Sequence, residues 1–152
     1  MAETMTAPEI LERVPQADPF RFLDEILEVD EDHIAAAVRF KEDADFYRGH
    51  FPGNPITPGV ILVEAMAQAG VVAHGIYLLA NQTGPGGGDG MLTLFTDAEV
   101  EFSGVVQPGE RVLIEGRKVF FRHKKLRSEV EMRREDGTVV CRGTLSGMGV
   151  AR

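Results

Sequence analysis

The chain has 152 residues, 43% hydrophobic and 26% charged, with a formal net charge of −8. That size and balance fit one soluble globular domain over residues 1–152, large enough to build a core without staples. The acidic excess argues against a nucleic-acid binder, and the lone cysteine, Cys141, rules out an intrachain disulfide and fits a reducing, cytoplasmic setting.

The first residues mix acids with small side chains and lack a basic flank followed by an apolar stretch, so no signal peptide is expected. Residues 7–14 suit a short helix with Pro8 in its first turn. Pro15 and Pro19 interrupt the chain, and Phe20 to Glu28 reads equally as strand or helix. His33 to Phe40 reads as a strand with Ile34, Ala36, Val38 and Phe40 on one face. Lys41 to Pro58 holds three of the eight prolines and reads as an ordered irregular loop.

Gly59 to Ala80 is apolar on nearly every side, which predicts a helix about 30 Å long, buried by its surroundings. No charge-free apolar run approaches about 20 residues, so no membrane span is expected. Asn81 to Gly90 is glycine-rich and is expected to be mobile. It lacks the Gly-Lys-Ser/Thr ending of a phosphate-binding loop. Strands are predicted at Met91–Phe95, Ala98–Phe102, Glu110–Phe121, Leu126–Arg134 and Thr138–Met148. Gly116 suggests a bend or bulge. Pro108-Gly109 and Asp136-Gly137 mark turns. A curved antiparallel sheet wrapped around a central helix fits this order, as does a flatter α+β layer.

Chemistry concentrates in Gly49-His50-Phe51-Pro52-Gly53-Asn54-Pro55-Ile56-Thr57-Pro58-Gly59-Val60, followed by Glu64-Ala65-Met66-Ala67-Gln68. Pro52, Pro55 and Pro58 stiffen the loop around His50, which lowers the entropy lost in fixing its side chain. His33, His74 and His123 have no such setting, and His74 suits a satisfied core or interface position. Glu64 is the only acid between Asp45 and Asp89, and it sits inside the apolar helix. Either it escapes to solvent along a narrow polar stripe with Gln68, or it is buried with a raised pKa and donates protons near neutrality. Gly59 either merely starts the helix or offers an N–H that polarises a carbonyl, as in an oxyanion hole. Base, acid and polariser together suit loss of water from a 3-hydroxy thioester. His50 takes the proton beside the carbonyl, Gly59 N–H steadies the enolate-like charge, and Glu64 protonates the leaving hydroxyl. The scheme needs neither cofactor nor metal.

The same string resembles the FabZ-type 3-hydroxyacyl-[acyl-carrier-protein] dehydratases of the hot-dog fold. Pro19-Phe20-Arg21-Phe22-Leu23-Asp24 resembles that family's Pro-Phe-x-x-x-Asp, and Pro108-Gly109-Glu110 resembles its Pro-Gly-Asp turn. The resemblance implies a catalytic pair of His50 and Glu64 drawn from different subunits, with Gly59 as the carbonyl-binding amide beside Val60. It implies a homodimer or a trimer of dimers, with Tyr47 and Phe51 lining or gating an acyl tunnel. It also implies an acyl carrier protein as partner, for which Arg117, Lys118, Arg122, Lys124, Lys125 and Arg127 form a docking patch. A solvated strand face explains that cluster equally well.

The chain departs from the family at Gln16-Ala17-Asp18, where His-Arg is common, at Thr57, where an apolar residue is common, and at the glycine run 84–90. Two rivals remain: a hot-dog acyl thioesterase, and a non-catalytic acyl-binding subunit. FabA-type enzymes usually carry Asp where this chain has Glu64, and rank lower.

Overall fold

The computed structural model describes residues 5–84 and 91–151. Helix α1 spans Ala7–Arg13 and is set by a capping box. Thr6 accepts from the Glu9 backbone N–H, and the Glu9 carboxylate returns to the Thr6 N–H. Ile10 is the residue that α1 buries. The ambiguous Phe20 to Glu28 stretch resolves into an irregular lead and a strand, β1 (Glu25–Val29). It pairs with β2 (His33–Arg39), where Ile34, Ala36 and Val38 are buried as expected, and Ala35 and Ala37 on the other face are buried too. Within the loop, Phe46–Gly49 forms one helical turn, α2, where only irregular chain was expected.

One continuous helix runs from Gly59 to Thr83, three residues beyond the expected end. It divides into α3 (Gly59–Ala67), a π-helical segment (Gln68–Ala73) and α4 (His74–Thr83). By length and composition alone it could cross a membrane, but it is a mostly buried core helix that carries Glu64. The sheet supplies its surroundings instead, and all six residues of the π segment are buried. The expected glycine loop begins only at Gly84, and residues 85–90 lie outside the described residues.

The remaining strands are β3 (Met91–Phe102), β4 (Arg111–Arg122), β5 (Lys125–Arg134) and β6 (Val139–Ala151). Together with β1 and β2 they make one antiparallel sheet in the order β1-β2-β4-β5-β6-β3. The two strands expected at 91–95 and 98–102 are one, with a register shift between Phe95 and Asp97 that absorbs Thr96.

Gly116 is not a bulge. It stays in regular register with Ile34 and Val130, and the irregularity falls between Lys118 and Phe120. Its missing side chain serves helix packing: a Cβ there would lie 3.1 Å from the Cα of Gly70 in the π segment. A wide π turn loosens the helix's own hydrogen bonding. Here the buried Ser128 hydroxyl donates to the Gly70 carbonyl at 2.8 Å. Helix and sheet therefore meet almost backbone to backbone, which fixes the helix along the sheet. His74 is fully buried, and Nε2 donates to the Asp30 carbonyl at 2.8 Å. Its Nδ1 has no partner, so the expected satisfied core histidine is satisfied on one side only. Burial pushes the Cys141 thiol up to about 12, consistent with an inert packed sulfur.

Candidate active site

The loop that carries His50 is tied to itself. His50 N–H donates to the Phe46 carbonyl and so closes α2, while Ile56 N–H returns to the His50 carbonyl at 2.9 Å. Phe51 and Asn54 exchange N–H···O bonds at 3.2 and 2.8 Å. Thr57 N–H donates to Val106, which pins the end of the loop to the chain ahead of β4. The His50–Phe51 peptide is cis. The departure at Thr57 has a purpose: its side chain is buried, and its hydroxyl lies 2.6 Å from the hydroxyl of Tyr47. Burial raises the Tyr47 pKa, which keeps that phenol protonated.

His50 Nδ1 lies 3.0 Å from the Ile56 carbonyl oxygen. A carbonyl only accepts, so Nδ1 carries the hydrogen and Nε2 keeps its lone pair. The ring stacks on Phe51, with centroids 4.2 Å apart and planes 24° from parallel. A half-buried imidazole held on one edge and one face presents its free nitrogen in a single direction.

Glu64 is positioned by a different part of the chain. The fully buried Gln68, one helical turn on, donates from Nε2 to Glu64 Oε2 at 2.8 Å and to the Phe20 carbonyl at 2.8 Å. Its Oε1 accepts from the Phe22 N–H at 2.9 Å. Those partners leave the amide one orientation, so a nitrogen must face the carboxylate. The polar stripe leading Gln68 to solvent does not exist. Burial raises the Glu64 pKa, and the Gln68 hydrogen bond opposes part of that rise. Gln68, which one reading of the sequence placed on a polar stripe, instead holds the Glu64 carboxylate in position. The signal was present in the four-residue spacing from Glu64 and in the Pro19-Phe20-Arg21-Phe22 stretch, whose backbone holds it.

Gly59 opens α3 behind Pro58, and no intrahelical acceptor exists for the first amides of a helix. A Cβ at residue 59 would lie 3.1 Å from the ring of the half-exposed Phe102, so a larger residue there would have to push that ring aside. Val60 is 77% exposed, and Phe51 and Phe102 are about half exposed beside the same loop and helix start. No hydrogen bond or ion pair joins His50 to Glu64 within the chain, among the described residues. Glu64 instead lines a small recess with Gln16, Ala67, Thr93 and Gly147, and His50 is not part of it.

The basic residues sit on β4, β5 and their turn, where His123 and Lys124 both have positive φ, 51° and 61°. Several are already engaged. Lys118 lies 3.8 Å from Glu31 and 4.0 Å from Asp32, and Lys125 and Arg127 lie 3.9 and 3.5 Å from Asp97. Arg122 and Arg127 lie over Phe120, 4.9 and 5.2 Å from its ring centre. Arg117 lines a charged groove with Glu115, Glu129 and Arg142 on the sheet. Among the described residues no group of three or more His, Cys, Asp or Glu side chains is arranged to hold a metal.

A six-stranded antiparallel sheet curved over one long helix, with a histidine loop at the mouth of that helix and a partly buried acid on it, defines a hot-dog protein. Solved structures agree on the fold. A chain of the dehydratase heterocomplex ApeI:P from Xenorhabdus doucetiae superposes with a TM-score of 0.75 at 19% identity, over 93% of this chain and 91% of that one. A thioesterase from Haemophilus influenzae gives 0.68 at 16% identity, over 99% and 94%. The FabA-like domain family matches residues 14–146. The 3-hydroxyacyl-[acyl-carrier-protein] dehydratase FabZ of Caldicellulosiruptor bescii is 36% identical over 139 residues, which cover 90% of this chain and 93% of that protein. The chain belongs to the FabA-like family and groups within it with the FabZ-type dehydratases.

Proposed function

We propose that this chain, as a single dehydratase domain, removes water from a 3-hydroxyacyl thioester carried on acyl carrier protein and yields the trans-2-enoyl thioester. The observation that carries the reading is the presence of two prepared groups: an imidazole whose Nδ1 hydrogen is committed to Ile56, and a partly buried carboxyl held by Gln68. His50 Nε2 takes the proton next to the thioester carbonyl. The electron pair left behind forms the double bond as the C3–O bond breaks. Glu64, whose pKa is raised by its partial burial, gives its proton to the departing hydroxyl. The Gly59 N–H, at the positive end of the helix, faces the charge that develops on the carbonyl oxygen. Val60 and Phe51 contact the acyl chain, and Tyr47 acts from beneath by holding Thr57 and the loop.

The two groups meet across a pair of subunits. Within one chain no hydrogen bond or ion pair joins His50 to Glu64 among the described residues, and the recess that Glu64 lines excludes His50, which supports this. So does β3, a sheet-edge strand of 12 residues with exposed Leu94, Phe95 and Phe102. Such an edge invites pairing with a second copy. A dimer is the minimal unit, with a trimer of dimers as the larger form. The exposed part of the basic hairpin, Arg122 and Lys124 above all, receives the acidic carrier protein. A cytoplasmic location fits the free, buried Cys141.

The test is an assay of one 3-hydroxyacyl thioester and the matching enoyl thioester, with water loss, water addition and thioester cleavage followed separately. Dehydration and hydration without release of free thiol are expected. Thiol release as the main event would assign the site to a thioesterase.

A further inference from the structure

The departure at Gln16 leads to a feature that the acid–base pair does not use. The side-chain oxygen of Gln16 is buried and has no hydrogen-bond partner. It belongs to a residue that lines the same recess as Glu64, with Thr93 beside them and Ala67, Val71 and Gly147 forming apolar walls. The recess measures about 30 Å³, and about 10–15 Å³ of such space seats one water. A buried amide oxygen is stable only with a donor, and among the described residues none supplies one. Glu64 uses Oε2 for Gln68, which leaves its other oxygen unclaimed by that bond.

We propose that this recess seats the water that the reaction releases or consumes, held between Gln16 Oε1 and the Glu64 carboxyl group. The proposal rests on the reading of Glu64 as the proton donor. As the C3–O bond breaks, its electron pair leaves with the oxygen, and the Glu64 proton completes a water molecule. At that moment both neighbours are acceptors: a new carboxylate on one side and the Gln16 oxygen on the other. Water has two O–H donors and satisfies both. In the reverse direction the same water gives one proton to the Glu64 carboxylate while its oxygen pair attacks C3 of the enoyl thioester. His50 then returns its proton to the carbon beside the carbonyl. Gln16 is a positioning residue in this scheme, since it touches the reacting water and not the acyl chain.

The experiment compares wild type, Gln16→Met and Glu64→Gln in dehydration and hydration of a pantetheine thioester, alongside high-resolution crystal structures of wild type and Gln16→Met. Methionine keeps the length of the side chain and removes the amide. An ordered water within hydrogen-bond reach of Gln16 Oε1 and Glu64 is expected in wild type and absent in Gln16→Met. The kcat of Gln16→Met is expected to fall about tenfold in both directions, with KM unchanged, the size of effect that one lost hydrogen bond in the transition state produces. A wild-type structure with no water between the two groups overturns the proposal, even if Gln16→Met does not fold. So does a Gln16→Met enzyme with wild-type kcat, or one whose loss lies only in KM. An inactive wild type, or a fully active Glu64→Gln, breaks the reading of the site itself and is told apart from either result.

Discussion

The His50 loop and the basic β4–β5 hairpin both carry polar groups on an apolar frame, and they are held in opposite ways. In the loop, hydrogen bonds run inward. His50 and Ile56 bind each other, Tyr47 binds Thr57 out of solvent, and Thr57 N–H binds Val106. What remains free is one nitrogen with one direction. In the hairpin, charges are spread and shared: Lys118 with Glu31 and Asp32, Lys125 and Arg127 with Asp97, Arg122 with the face of Phe120. Exposed pairs of this kind contribute little each and are screened by salt. A fixed direction serves a bond-breaking step, whereas a diffuse field serves encounter with a partner. Damage to the loop and its acid should therefore act on turnover by orders of magnitude. Damage to the hairpin should act only on large charged substrates and by small factors.

The largest effect is expected for His50→Ala and Glu64→Gln, each lowering dehydration by roughly 10²–10⁴-fold while the circular dichroism spectrum is retained. Glu64→Gln also carries a stability signature. Burial raises the pKa of this carboxyl, so the folded state holds its proton more tightly than the unfolded chain does. Stability is therefore lost as pH rises from the unfolded pKa toward the folded one, and the loss persists above it. Glu64→Gln should thus melt a few degrees higher than wild type at neutral pH, with the gap closing as pH falls toward the ordinary carboxylate range. An equal or lower melting temperature at neutral pH would show that the carboxylate is not paying a burial penalty.

An intermediate effect is expected for Tyr47→Phe. It removes the hydroxyl bonded to Thr57 and leaves a buried hydroxyl short of a partner. Loosening the loop should lower kcat by about tenfold through misplacement of His50, with KM little changed. A loss confined to KM would place Tyr47 in substrate binding instead of loop support.

The smallest effect belongs to the hairpin. Arg122→Glu with Lys124→Glu should slow turnover of carrier-bound substrate by several-fold at low salt and by less at high salt, because the attraction is screened over about 8–10 Å. A short pantetheine thioester should be turned over at the wild-type rate. Equal losses on both substrates would remove the distinction between the two regions.

Much of this was legible in residue order. The proline and glycine spacing marked the loop, and the lone acid in an apolar helix marked Glu64. The apolar run of β2 and the Asp136-Gly137 turn placed strands correctly, although β2 is buried on both faces where one was expected. What escaped depends on contacts between segments far apart in sequence. Gly116 read as a bulge because a glycine in a strand weakens it, yet its role is to admit the backbone of Gly70. Gln68 read as a polar stripe because its partners, the backbone of Phe20 and Phe22, lie more than forty residues away. The division of the long helix by a π segment left no trace in its apolar pattern, since burial on all sides erases periodicity. Thr57 departed from the family at a buried position, and only its hydroxyl contact with Tyr47 gives the reason.

The central claim, that one site draws His50 and Glu64 from two copies of the chain, is tested most directly by mixing two dead enzymes. His50→Ala and Glu64→Gln subunits are brought together, exchange is verified by mass spectrometry, and dehydration is measured. In a mixed dimer one of the two sites keeps both groups, so activity should reappear, at up to about a quarter of the wild-type rate for equal, fully exchanged subunits. Confirmed exchange with no recovery of activity would contradict the shared site and return both residues to a single chain.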